Sequence, residues 1–160
     1  MGDAAAVTTP LWNWAPIARL ALLGLLIAAL PLSWVWLRNR RGDPAARLRA
    51  LTLVTVFLTF DLVLFGAFTR LTDSGLGCPD WPGCYGSVSP FGAQAHIDAA
   101  QSAMPTGPVT TGKAWIEMIH RYLATGVGAL ILVMTLTAWS LHWRSRSHLR
   151  SHSRGEHTSA

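Results

Sequence analysis

Three long apolar runs set the plan of this chain, with polar or basic segments between them. Leu20 to Leu37 runs for 18 residues without a charge. Leu51 to Phe68 is a second run, interrupted once by Asp61. Leu123 to Trp143 is the third, with His142 at its very end. A helix of about 20 residues rises roughly 30 Å, the thickness of bilayer hydrocarbon, so each run is long enough to cross. The pattern predicts an all-α integral membrane protein with three transmembrane helices, at 20–37, 50–69 and 114–143. A basic segment at 38–49 and a long polar loop at 70–113 join them. Residues 1–19 precede the first span, and 144–160 form a basic, Ser-rich tail expected to be disordered. The first run reads as a retained helix. Met1 to Ile17 lack Lys and Arg, no small-residue cleavage site follows the run, and Arg38-Asn39-Arg40-Arg41 reads as a stop-transfer cluster.

Composition agrees with a membrane protein: 51% of the 160 residues are hydrophobic and 13% charged, which excludes an ordinary soluble domain. The placement of charge predicts orientation. Segment 38–49 carries five arginines against Asp43, and the tail carries Arg144, Arg146, Arg150 and Arg154. The 70–113 loop holds only Arg70 and Lys113, offset by Asp73, Asp80 and Asp98. Lys and Arg accumulate on the cytoplasmic side. The short connection and C-terminus are therefore expected inside and the long loop outside, in a multi-pass membrane protein. Trp12, Trp14, Trp34, Trp36, Trp115, Trp139 and Trp143 fall near span ends, as an aromatic belt would. The net charge of +5 then belongs to arginines facing anionic lipid, and no nucleic acid partner is expected.

The 70–113 loop is long for so small a protein, and long loops are usually functional or disordered. Its first part, Arg70 to Pro90, is dense in Gly, Pro, Cys and Trp; within its blander second part, Ile97 to Met104 is a candidate short helix. Cys78 and Cys84 are the only cysteines. An even pair on the oxidising side favours a disulfide, and Pro79, Pro82 and Gly83 turn the chain back on itself. The pair reads either as a staple or as a redox-active dithiol. Zinc normally takes four ligands, and two cysteines with no nearby histidine do not supply them. Arg70, at the membrane boundary, reads equally as a partner for a porphyrin propionate and as a snorkelling interface residue.

Glu117 and His120 lie three apart on the third predicted helix and so share a face. A histidine one turn inside a span needs a partner and often marks function, and imidazole is the commonest axial ligand of haem iron. The alternative is a structural hydrogen bond to a neighbouring helix or interface water. A di-iron carboxylate site is excluded within one copy, because only one other glutamate, Glu156, is present. Asp61, near the middle of the second span, reads as a structural hydrogen bond, a proton relay or a partner for a base. Gly126 and Gly128 would permit close helix approach. His148, His152 and His157 belong to the polar tail.

Two stretches together carry a family resemblance. Gly66-Ala67-Phe68-Thr69-Arg70-Leu71-Thr72-Asp73-Ser74-Gly75-Leu76-Gly77-Cys78-Pro79-Asp80-Trp81-Pro82-Gly83-Cys84-Tyr85-Gly86 resembles the first outer loop of bacterial haem A synthases. Trp115-Ile116-Glu117-Met118-Ile119-His120-Arg121 is similar to the Glu-x-x-His-Arg start of that family's next helix. The resemblance runs from about Arg49 to Trp143. It implies oxidation of a haem O methyl group to the haem A formyl group for cytochrome c oxidase assembly, with haem O or haem b as cofactor and no other metal. It implies that His120 is an axial ligand of haem iron and that Glu117 is a catalytic carboxylate beside the porphyrin edge. Cys78 and Cys84 correspond to the outer-loop pair of many bacterial members. The family's halves are four-helix bundles with paired histidines, so this chain resembles part of an N-terminal half, as a truncated product would. A second axial histidine would come from a second copy or from a partner supplying helices. Other expected partners are membrane lipid, the haem O-producing enzyme and the oxidase assembly machinery. Two rival readings are a quinone-coupled thiol oxidoreductase using Cys78 and Cys84, and a non-catalytic assembly scaffold.

Overall fold

A computed structural model describes residues 15–156 of the chain. The N-terminal tryptophans Trp12 and Trp14, the side chains of His148 and His152, and His157 lie outside the described residues. The described residues form four helices, α1 (Ala15–Arg38), α2 (Pro44–Leu71), α3 (Gln94–Ala103) and α4 (Thr111–Glu156), with a short 3-10 turn at Pro90–Ala93. Three of them are long and apolar enough to cross a membrane, over Ile17–Arg38, Pro44–Leu71 and Thr111–Arg144. The apolar runs thus become helices, each extended by polar residues at its ends.

Local chemistry explains the breaks. Pro44 sits in the first turn of α2, where its missing N–H costs nothing. The link from α1 is tied by Arg47, whose Nε donates to the Asn39 carbonyl at 2.9 Å and Nη2 to the Arg40 carbonyl at 2.6 Å. Arg47 is thus a cap for the link as well as part of its charge. Within the spans, Thr55, Thr59, Thr69 and Thr125 each donate to the carbonyl four residues back. Hydroxyls in hydrocarbon need this internal satisfaction.

Helix α1 lies against α4 through a small-residue crossing. Gly24 abuts Thr125, and a Cβ on Gly126 would come within 2.9 Å of Ile27 Cγ2. Close approach of this kind replaces the hydrophobic drive that lipid cannot supply. Gly126 therefore serves packing as expected. Gly128 faces open space instead, because it lies half a turn away from that contact. Ala28, Val35, Leu51 and Leu130 form the core where α1, α2 and α4 meet.

Two expectations are corrected. Helix α4 continues to Glu156, so the segment from Arg144 onward is helical rather than disordered as far as it is described. Arg, Ser, His and Leu extend a helix already nucleated in the span, and no Gly or Pro intervenes until Gly155. The 70–113 loop is also shorter than expected, since Arg70 closes the last turn of α2 and Lys113 lies in the first turn of α4. Between them the chain builds a second core of Cys78, Cys84, Ala93, Ile97, Ala114 and Met118. The connection is a small folded cap on the start of α4. Helix α3 brings Ile97 into it and begins three residues before the expected segment.

Candidate functional site

The cap is pinned to α4 by one buried carboxylate and one guanidinium. Glu117, 6% exposed, accepts the Cys78 backbone N–H on Oε2 at 2.8 Å and pairs through Oε1 with Arg121 Nη2. Arg121 Nη1 donates to the carbonyls of Asp80 (2.8 Å) and Gly83 (2.6 Å). The two residues are i and i+4 on α4, the spacing that aligns opposite charges along a helix. Charge-assisted bonds of this sort are about twice as strong as neutral ones. Tyr122, one residue on, donates its hydroxyl to the Val88 carbonyl.

The loop they hold is itself preorganised. Cys78 and Cys84 are joined by a disulfide with Cα atoms 4.9 Å apart, and the two residues are 4% and 0% exposed. Next comes a two-residue hairpin in which Cys84 and Ser87 exchange backbone hydrogen bonds of 2.8 and 2.9 Å. Its central residues, Tyr85 (φ 47°) and Gly86 (φ 73°), are both left-handed. The Asp80 carboxylate stabilises that turn by accepting both of their N–H groups. Tyr85 also stacks on His96 of α3, with ring centroids 5.3 Å apart.

One turn further into the span, His120 faces α2. Its ring stacks nearly parallel to Phe65, with centroids 6.2 Å apart and planes 9° from parallel. Nε2 is directed at Gly66, where a Cβ would stand 2.9 Å from the nitrogen. The imidazole therefore occupies a gap that exists only because residue 66 has no side chain. Among the described residues neither ring nitrogen has a hydrogen-bond partner, and the ring is partly exposed. Glu117 and His120 are neighbours on α4, yet one grips the cap and the other meets α2.

Arg70 is exposed four residues after Gly66, hence one turn towards the cap on the same face of α2. It lines a recess of about 480 Å³ with Asp73, Leu76, Thr106, Pro108 and Lys113. Asp61 is exposed in mid-span, and among the described residues its carboxylate has neither a hydrogen bond nor an ion pair. Of the readings open for Asp61, a structural hydrogen bond is not found among the described residues. Sequence reasoning did not single out Arg121, Asp80, Phe65 or Gly66 as site residues. A charged residue four after Glu117 was a signal for Arg121; nothing local marks a glycine that will face an imidazole from another helix.

The profile of the cytochrome oxidase assembly protein family matches residues 49–155, which takes in α2, the cap and most of α4. The chain belongs to the cytochrome oxidase assembly protein family. It is 49% identical to a heme A synthase of Shewanella oneidensis over 79 residues, covering 49% of this chain and 24% of the relative. It is 31% identical to that of Sinorhizobium medicae over 113 residues, 64% of this chain and 29% of the relative. With that of Lysinibacillus sphaericus it shares 37% over 90 residues, 56% and 22% of the two chains. The chain thus matches about a quarter of the length of these curated relatives. No solved structure matches it.

These relatives are heme A synthases, and the donor set of this chain can be tested against haem. His120 has the chemistry of an iron ligand, an imidazole with unclaimed nitrogens in apolar surroundings, and its Nε2 would have to turn out of the Gly66 gap to meet a haem. The described residues supply no second imidazole at that level. His142 lies 22 residues further along α4, roughly 33 Å away at 1.5 Å per residue, and His96 is stacked on Tyr85 in the cap. Among the described residues no cluster of three or more His, Cys, Asp or Glu could hold another metal ion.

Proposed function

We propose that this chain builds one side of a haem site where α2 meets α4, and that it serves the oxidation of a haem O methyl group to the haem A formyl group during cytochrome c oxidase assembly. The observation that carries this reading is the unclaimed His120 imidazole set against Gly66, beneath a cap pinned to α4. His120 would hold the iron. Haem iron, when bound, supplies the oxidising chemistry. Arg70, one turn above Gly66, would pair with a propionate. Glu117, one turn from His120 on α4, would hold or pass a proton at the porphyrin edge only if one of its oxygens left its partner, Arg121 or the Cys78 N–H.

The disulfide acts in this reading as a staple. Its burial and its bonded loop keep the sulfurs away from a partner thiol, and this disfavours a thiol oxidoreductase. A second imidazole for the iron would come from a second copy or a partner helix. The arginine distribution supports a cap outside the cytoplasmic membrane and an α4 end inside it. The test is extraction and chromatography of the haem retained by the purified protein, coexpressed with a haem O-producing enzyme. Retained haem O, with haem A or an alcohol intermediate in the wild type and haem O alone in Glu117→Gln, is expected. Wild-type protein that is folded and carries no haem under these conditions would overturn the reading.

A further inference from the structure

The cap turns three large apolar side chains outward. Leu76, Trp81 and Phe91 are 71%, 70% and 77% exposed. Each is held at the level where a span begins. Gly77, next to Leu76, lies so close to α4 that a Cβ there would stand 2.6 Å from the Ala114 nitrogen. Trp81 shares a small recess with Arg19, near the start of α1. Phe91 meets Trp115 of α4 edge to face, with ring centroids 4.7 Å apart and planes 74° from parallel.

Cations share that level. Arg19 and Lys113 each lie two residues inside the start of an apolar span, Arg19 beside Trp81 and Lys113 in the recess that holds Leu76. Of the neighbouring acids, Asp73 lines the Leu76 recess, and the Asp80 carboxylate is spent on the turn at Tyr85 and Gly86. Aromatic rings interleaved with Lys and Arg at span ends suit the headgroup layer, where rings meet the acyl boundary and cations meet phosphates. The three apolar residues are also spread over the bundle: Trp81 beside α1, Leu76 in a recess shared with α2, and Phe91 on α4. A medium that surrounds the spans touches all three, whereas a protein docked on one side does not.

We propose that the cap lies within the phospholipid headgroup layer instead of standing in water above it. Leu76, Trp81 and Phe91 dip to the acyl boundary, and Arg19 and Lys113 meet lipid phosphates. The cap is then a membrane-bound lid on the start of α4, held from within by Glu117 and Arg121 and from without by lipid. Neither the surface nor its test depends on a bound haem.

The test uses the full chain in nanodiscs of phosphatidylcholine and phosphatidylglycerol and reads two sites independently. The emission of Trp81 is the difference between wild type and Trp81→Phe, and phosphatidylcholine brominated high on its acyl chains is the quencher. That difference should fall by about twofold in brominated nanodiscs, as for a ring buried in the headgroup and acyl boundary. A nitroxide on Phe91→Cys should be about threefold less accessible to a water-soluble nickel chelate than the same label free in buffer, because the boundary excludes the chelate. Trp81 emission untouched by brominated lipid, or a label at 91 as open to nickel as the free one, would overturn the proposal and leave these side chains to water or to another protein. Should either variant fail to fold, the other site decides alone.

Discussion

The cap and the mid-membrane region solve the same problem, buried polar groups, in opposite ways. In the cap each principal polar group has a partner: Glu117 holds Cys78 and Arg121, Arg121 holds two loop carbonyls, Asp80 holds two N–H groups, and Tyr122 holds Val88. In mid-membrane the helices meet through glycines and small side chains, and Asp61 faces an apolar groove with no partner among the described residues. A saturated network fixes one geometry, while an unsatisfied carboxyl beside a cavity leaves a place for something else. His120 sits on the boundary, positioned by the rigid end and turned towards the open one. The comparison teaches that the cap is built to hold and the membrane region to receive.

Breaking the cap should have the largest effect on stability. Glu117→Ala strands the Arg121 charge and the Cys78 N–H, and loss of one partner of a buried pair costs about 3 kcal/mol. It should lower the detergent melting temperature and raise hydrogen exchange through 72–110. Cys78→Ser with Cys84→Ser removes a short staple worth about 2 kcal/mol in the chain-entropy model. Limited proteolysis should then cut the 78–87 segment first while the spans stay intact. On the membrane side, Gly126→Leu overpacks the α1–α4 crossing against Ile27, at a cost of about 1–3 kcal/mol. Cysteine cross-linking between α1 and α4 should fall while hydrogen exchange in the cap is unchanged. Tyr122→Phe deletes one hydrogen bond to Val88, about 1 kcal/mol, and should shift the melting temperature least. If Gly126→Leu loosened the cap as much as Glu117→Ala does, the two regions would not be separable and the comparison would fail.

Much of the fold was legible because bilayer crossing is a one-dimensional constraint. Length and hydropathy alone mark α1, α2 and α4, and two cysteines with turn residues between them favour the Cys78–Cys84 disulfide. The end of α4 was not legible, since a polar composition typical of disorder also propagates a helix that the span has nucleated. Glu117 and His120 stood out as ionisable residues close to a span. Their partners did not, because Cys78 is 39 residues away and Gly66 belongs to another helix, so both contacts depend on the path of the cap. Gly126 and Gly128 look alike in sequence, and only the crossing of α1 separates the packed one from the open one.

Whether His120 binds haem iron is read by a reduced-minus-oxidised absorption spectrum. Purified wild type should be measured beside His120→Ala and Gly66→Val, the second of which fills the gap facing Nε2. The account predicts a haem signal in the wild type, none in His120→Ala, and a weakened or shifted one in Gly66→Val. A haem signal that survives unchanged in His120→Ala, or a flat spectrum from folded wild-type protein, would contradict it.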